Sequence, residues 1–396
     1  MKEGWTYKKL GEVCYKITDG SHNPPKGIEH SDNVMLSSQN VQNGFLDMSA
    51  VRYLSDADFE IENKRTNASK GDVLLTIVGT IGRTCVLKGN EGNITFQRSV
   101  AILKPKEEIM SRYLMFFLMS CNSKLNSTAQ GAAQKGIYLK QLGNITLHYP
   151  SIDEQQRIVE RLDSAFENID KLKANAEKQL SEARILFQKS LAKAMESKEG
   201  WEEKKLRDIS LIKGGKRVPQ GYKFETEKTD YPYIRVADFT DEGTIDLSDI
   251  HYINNSVFQQ IKNYIISDKD IYISIAGTIG KSGIIPSCLN GANLTENACK
   301  LVLKDGLDQR YVYWFTKSDK FKDQISLATR QTSQPKLALT RLAEVLISLP
   351  PLAVQQRIVE RLDSLSENVR KYEEIQRQMI SECDALKQAL LRKVFE

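Results

Sequence analysis

Apolar residues recur at steps of three and four along two stretches of this chain that contain neither glycine nor proline. In the first they fall at Val159, Leu162, Phe166, Ile169, Ala176, Leu180, Ala183, Phe187 and Ala194, interrupted at Lys173 and Ser190. In the second they fall at Val359, Leu362, Val369, Ile380, Cys383, Leu390 and Val394. Breaker-free runs from 151 to about 195 and from 352 to 396 are expected to be helices, and the spacing is that of a coiled-coil seam. A second stripe steps by seven through Ile158, Ala165, Leu172 and Leu186, and through Ile358, Leu365, Tyr372, Met379 and Leu386. The apolar face is therefore wider than a two-helix seam needs. Ser151 followed by Glu154 has capping-box spacing, and Pro351 suits the first turn of the second helix.

Elsewhere the period changes. VLLTIVG at 73–79 and VAILKP at 100–105 are short β-rich runs, matched later by IYISIAG at 271–277 and KLVLKD at 300–305. Each pair is followed by a compact run of helical character, YLMFFLM at 113–119 and YVYWFT at 311–316. The correspondence is literal in places: QQRIVERLDS occurs at 155–164 and again, unchanged, at 355–364. EGWTYKKLGEV at 3–13 answers EGWEEKKLRDI at 199–209, and DVLLTIVGTIG at 72–82 answers DIYISIAGTIG at 270–280. A period near 200 residues marks an internal duplication.

The expected fold class is α+β. Two β-rich globular units with helices, at 1–150 and 199–350, are separated by two long antiparallel coiled-coil helices at 151–198 and 351–396, and a pseudo-two-fold relates the copies. At 1.5 Å per residue each helix is about 65–70 Å long. The expected helix–helix and partner interface comprises Ile158, Val159, Leu162, Phe166, Ile169, Leu172 and Leu180 on the first helix. On the second it comprises Ile358, Val359, Leu362, Leu365, Val369, Tyr372, Met379 and Ile380. The surplus stripe calls for a third surface.

Composition mainly excludes. A net charge of +5 over 396 residues permits a polyanionic partner without requiring one. Cys14, Cys85, Cys121, Cys288, Cys299 and Cys383 form no CxxC pair and only four histidines accompany them, so reduced, structural thiols and no metal site are expected. The opening MKEGWTYKKL lacks the apolar run of a secretion signal, and YLMFFLM is too short to span a bilayer; a cytoplasmic protein is expected.

Comparing the two copies separates frame from cargo. Trp5 and Trp201, the GTIG turns at 79–82 and 277–280, Pro150 and Pro350, and the QQRIVERLDS blocks agree. Between them the copies diverge: DGSHNPPKGIEHSD at 19–32 stands against GGKRVPQGYKFETE at 214–227, and LSSQNV at 36–41 against IRVADF at 234–239. These segments supply the candidate DNA contacts. In the first unit they are Ser21, His22, Asn23, Lys26, Ser38, Gln39, Asn40, Arg83, Gln97, Arg98, Gln134, Lys135 and Lys140. In the second they are Lys216, Arg217, Gln220, Arg235, Asp238, Lys281, Asn297, Arg330, Gln331, Ser333, Gln334 and Lys336. Arg and Lys grip phosphate or guanine, Asn and Gln match adenine's edge, and Asp accepts from cytosine. Each residue taken singly is also an ordinary solvated loop side chain; the clustering, twice over, favours an interface.

The GTIG turns lack phosphate-loop spacing and read as tight strand-to-strand turns, although Arg83 and Lys281 immediately follow them. NPPK at 23–26 approaches the Asn-Pro-Pro-aromatic signature of amino-methyltransferases, but Lys26 stands where the aromatic belongs. No HExxH, GxSxG, nuclease or Walker arrangement is present, so a non-catalytic chain is expected.

The Trp-x-x-x-Lys-Leu openings, the apolar-GTIG runs, the proline before each QQRIV helix and the duplicated order together resemble the DNA-specificity subunit of Type I restriction-modification systems. The resemblance spans nearly the whole chain. It implies two target-recognition domains, each reading half of a split asymmetric site, with the helices as spacer. It also implies two methyltransferase subunits as partners, restriction/translocase subunits in the full enzyme, and double-stranded DNA as ligand. S-adenosylmethionine and ATP with Mg would then sit on the partners, with no cofactor on this chain. The alternative from another class is a bivalent protein-interaction scaffold built on the same coiled coil. A self-contained DNA-modifying enzyme is the third reading.

Overall fold

A computed structural model describes residues 4–129, 135–329 and 336–396. The chain forms two compact units, one of Met1–Glu177 with Arg377–Glu396, the other of Lys178–Gln376. Each therefore takes part of both long helices, and the boundary does not fall where the helices begin.

In the first unit, β1 (Cys14–Asp19), β2 (Val73–Thr76), β3 (Thr84–Val86) and β4 (Val100–Pro105) make an antiparallel sheet in the order β1-β4-β2-β3. Ile102 pairs with Thr18 on one side and Leu74 on the other. The continuous apolar runs of β2 and β4 follow from burial of both sheet faces, because successive side chains point to opposite sides. Val73, Leu75, Ala101 and Leu103 enter one core, with helix α1 (Ser111–Ser120) and the long helices. Leu74, Val100 and Ile102 enter the other, with Val34, Leu36, Ile94 and Phe96 of a small second sheet. That second sheet sets Asn33–Leu36 parallel to Asn93–Phe96.

The second unit repeats the plan with different side chains. Here β5 (Ser210–Gly214), β6 (Ile271–Ser274), β7 (Ser282–Gly283) and β8 (Ala298–Leu303) run in the order β5-β8-β6-β7. Ile271 and Ile273 face one core, and Tyr272 and Ala298 the other. Helix α3 (Gln309–Lys317) occupies the place of α1. Even the buried phenols correspond: Tyr113 donates to the His148 carbonyl at 2.9 Å and Tyr311 to that of Ser348 at 2.6 Å.

The long helices are α2 (Ile152–Ala194) and α4 (Leu352–Phe395), as the pattern predicts. Within the first unit Lys173 pairs with Asp384 at 2.7 Å and Lys387 with Asp170 at 2.5 Å, so numbering rises on one helix as it falls on the other. In the second unit Arg184 meets Glu373 at 2.8 Å and Tyr372 donates to Gln179 at 2.8 Å. The helices are antiparallel in both. Such exposed pairs add little stability, and the apolar seam carries the association.

Of the expected interface residues, Val159, Leu162, Ile169, Val359 and Leu362 are buried. Ile158, Phe166, Leu180, Ile358, Leu365, Val369 and Ile380 are half-buried. Leu172 is 54% exposed, and Tyr372 and Met379 38% each, so the surplus stripe stays open within each unit. The heptad reading missed the helix ends: Leu191 and Met195 pack into the second unit's core, and Leu391 and Phe395 into the first's. Phe395 sets its ring edge-on to Tyr113 and Phe117, with centroids at 5.2 and 5.8 Å.

The repeated decapeptide earns its identity through duplicated contacts. Gln155 is fully buried; its Oε1 accepts the Met110 N–H at 3.0 Å, and its Nε2 donates to the Glu108 and Pro150 carbonyls. Gln355 accepts from the Asp308 N–H at 3.0 Å and donates to the Pro350 carbonyl. Glu154, expected to complete a capping box, pairs with Arg157 at 3.1 Å. Asp163 takes a two-pronged grip from Arg112, and Asp363 takes the same from Arg310. Asp363 also accepts the Trp314 indole N–H at 2.7 Å, where the first unit has Phe116.

Candidate nucleic-acid interface

The GTIG segments are strand-to-strand turns. They connect β2 to β3 and β6 to β7, with Gly79, Gly82, Gly277 and Gly280 at φ of 80°, 94°, 74° and 89°. At Gly82 the positive φ calls for glycine, and a Cβ there would also lie 2.7 Å from the Asn122 side chain, which would have to shift. The turn is closed by the Arg83 N–H on Thr76 Oγ1 at 2.9 Å and the Lys281 N–H on Ser274 Oγ at 2.8 Å.

Two divergent segments prove to be frame. Asn40, expected to read adenine, is buried; its Oδ1 accepts the Ser37 N–H at 2.8 Å and its Nδ2 donates to the Asp47 and Ala50 carbonyls. Asp238, expected to accept from cytosine, is buried too, and accepts the Arg235 N–H at 2.7 Å and the Arg235 guanidinium. Arg235 is completed by Asp249 and by His251 at 2.9 Å. These corrections share one cause. A buried polar side chain satisfied by its own loop has no bonding capacity left for a base edge. The Asp47 and Asp246 N–H groups bond the Asn40 and Asp238 carbonyls at 2.7 and 2.8 Å, so the same loop is built twice from dissimilar residues.

Other candidates converge at one end of each central sheet. The Ser21 N–H bonds the Phe96 carbonyl, the Arg98 N–H bonds the Ser21 carbonyl, the Gln97 N–H bonds the Leu36 carbonyl, and the Ser38 N–H bonds Ser99 Oγ. Ser21 is buried, whereas His22, Asn23, Lys26, Gln39, Arg98, Lys135 and Lys140 are exposed. A cleft of about 420 Å³ there is lined by His22 and Arg98 with three residues sequence reasoning missed, Asp19, Arg65 and Tyr138. Asp19 is 6% exposed; its carboxylate accepts from the Arg65 guanidinium and from His22 Nε2 at 2.8 Å. In the second unit the Lys216 N–H bonds the Leu294 carbonyl, and Arg217 is held by Glu296 at 2.5 Å. Burial pushes the Glu296 carboxyl up, but hydrogen bonds from Arg217, its own backbone and Thr295 outweigh this and leave it below the usual range. Asn297 lends its carbonyl to Ile275, Lys336 bridges to Ala276, and Gln220 is exposed on its loop. Gln134, Arg330, Gln331, Ser333 and Gln334 lie outside the described residues.

Two copies of one frame, each presenting polar loops at the end of a sheet, match a known pattern. The family profile described as "Type I restriction modification DNA specificity domain" fits residues 2–182 and again 198–378. The chain belongs to this family. It is 25% identical to the MjaVIII specificity subunit of Methanocaldococcus jannaschii over 80% of this chain and 77% of that one. It is 21% identical to the EcoKI specificity subunit of Escherichia coli K12 over 100% and 89%. Among solved structures, a chain from work on complex assembly and conformational transition of the type I R-M system shares the fold at a TM-score of 0.78. That match has 18% identity and covers 100% of this chain and 98% of that one. The HsdS subunit of Thermoanaerobacter tengcongensis aligns over 100% and 97%, with 17% identity and a TM-score of 0.55.

As a specificity subunit the chain is not itself an enzyme, and the chemistry of its ionisable groups agrees with a structural role. Burial raises the thiols of Cys14, Cys85 and Cys299 to about 12, which keeps them protonated. Among the described residues no three metal-ligating side chains cluster, and no helix is long and apolar enough to cross a membrane.

One cation of this specificity subunit is held out of its ordinary range. Lys317 lines a cleft of about 680 Å³ beside the second GTIG turn, with Lys281, Lys322 and Asp241. Burial pulls its ammonium down to about 8, Lys281 and Lys322 add to the effect, and Asp241 and Glu242 oppose it. The unfolded chain then binds more protons than the folded one between pH 8 and the ordinary lysine value of 10.5, so stability climbs as pH rises through that window. Lys317→Met keeps the apolar stem and removes the charge. It is expected to abolish the climb and to stabilise the second unit by about 1–2 kcal/mol at pH 7, the full shift being discounted for partial exposure. Urea unfolding at pH 7 and pH 10 checks both.

Proposed function

We propose that the two units each read one half of a split, asymmetric DNA target, with the two long helices setting the gap between halves. The chain directs methyltransferase subunits to that site, and restriction subunits where they are present. The observation that carries this reading is the contrast at equivalent positions. The hydrogen bonds of Ser21 to Phe96 and of Lys216 to Leu294, both 2.8 Å, align His22 with Arg217, and Arg98 with Glu296. One frame thus holds two different sets of polar groups, which suits two different half-sites.

Exposed Leu172 and Met379 in the first unit, and Tyr372 in the second, suit docking of partner subunits, and the name of the EcoKI relative as part of a restriction enzyme supports that assignment. S-adenosylmethionine, ATP and Mg belong to those partners in this reading. Linking two modest binders raises affinity only for half-sites at the matching gap.

Mapping methylated bases across host DNA with and without this gene tests the proposal. A split motif, two short blocks around an unspecified gap, is expected to lose methylation completely on deletion. An unchanged map in a host that carries the methyltransferase subunit would refute it.

A further inference from the structure

The candidate cations of the two units differ in how they are held. Lys26, Arg83, Arg98, Lys135 and Lys140 have no acid partner among the described residues. In the second unit Arg217 is paired with Glu296, Arg235 with Asp238 and Asp249, and Lys281 with Asp241, which leaves two described candidates, Lys216 and Lys336, without an acid partner among the described residues. The duplication makes this a controlled comparison. The Ile77 N–H to Ser99 carbonyl bond and the Ile137 N–H to Ile77 carbonyl bond recur as Ile275 to Asn297 and Leu337 to Ile275, all between 2.8 and 2.9 Å. On that common backbone Arg98 is replaced by Glu296, His22 by Arg217 and Tyr138 by Ala338.

The first unit's cleft is thereby rich in donors. The Asp19 carboxylate at its floor is engaged by Arg65 and His22, so its charge does not face an anion unopposed. Arg98 is exposed and unpaired, and the Tyr138 phenol, 64% exposed, stands at the rim. A free guanidinium with a phenol hydroxyl beside it suits an acceptor-only group such as a phosphate; guanine's O6 and N7 offer similar chemistry, and equal effects on target and scrambled duplexes separate the two. At the equivalent place the second unit offers an ion pair that is already neutral.

Resting on the DNA-reading function above, we propose that the first unit's cleft binds a DNA backbone phosphate through Arg98, while the Arg217–Glu296 pair leaves the second unit without this contact. The subunit is then electrostatically lopsided: its first unit anchors the duplex and carries more of the salt dependence.

The test is the salt dependence of binding by the full chain co-purified with its methyltransferase partners, on a duplex bearing the mapped target and on a scrambled duplex. Arg98→Ala is expected to reduce the slope of log affinity against log salt by roughly 0.9, equally on both duplexes. The fall in affinity between 50 and 200 mM salt then shrinks by roughly threefold. Arg98→Lys should restore the slope, which a merely structural defect would not. Glu296→Gln should free Arg217 and steepen the slope. An unchanged slope in Arg98→Ala, or a loss confined to the target duplex, would overturn the phosphate contact and leave the DNA-reading function standing. Failure of the wild-type complex to bind either duplex at low salt would overturn that function itself, and this proposal with it.

Discussion

Replacing Leu391 and Phe395 by alanine is expected to unfold the first unit while the core of the second stays protected. Both side chains belong to the last turns of α4, far in sequence from the strands they cover, and they are 0% and 3% exposed. Truncating a buried Leu costs about 2–5 kcal/mol and a buried Phe about 3–5. The two residues are neighbours, so their effects need not add, yet either sum is comparable with a whole domain's stability of about 5–15 kcal/mol. Hydrogen exchange read separately over β2 and β6 checks the prediction. Equal loss of protection in both strands would contradict it, since Leu391 and Phe395 belong to one core alone. The functional consequence is specific. The first unit's sheet needs the last turns of α4 to complete its core, so on the proposed reading damage to those turns should erase one half-site before the other.

Gln155→Leu should destabilise the first unit by about 2–4 kcal/mol although it adds apolar surface to a buried position. It strands the Met110 N–H and the Glu108 and Pro150 carbonyls, and a buried group left without its partner costs about 1–3 kcal/mol. Gln355→Leu strands only the Asp308 N–H and the Pro350 carbonyl, so the same change in the second copy should cost less. Urea midpoints of the two variants rank them. The reverse order would show that the glutamines act through something other than these bonds.

The two glutamines also mark how far pattern alone reaches. Their repetition in identical decapeptides announced a duplicated unit, and the helices, the paired β-rich runs and the GTIG turns followed from periodicity and from glycine's freedom at positive φ. What the decapeptide holds in place was illegible, because Met110 and Asp308 are remote in sequence from the helices they meet. The loops failed in a more instructive way. Asn40 and Asp238 differ between copies, which by pattern alone marks them for recognition; both close the same turn, one as an amide and one as a carboxylate. Divergence in sequence is therefore compatible with identity of role wherever two side chains offer the same acceptor.

Arg65 and Asp19 lie on the other side of that limit. Arg65 sits near the end of a charged helix, Asp56–Thr66, whose pattern gives no reason to single it out, and Asp19 ends a strand. Only folding brings them to one cleft. Duplication, element type and the split between frame and loop are encoded locally, as spacings and literal repeats, and a reader of the chain alone can recover them. Which loop side chains remain free for DNA is set by which polar groups are already bonded to one another. That depends on bonds within a loop, as between Ser37 and Asn40, and on contacts between residues tens of positions apart, as between Asp19 and Arg65, and only the tertiary structure decides it.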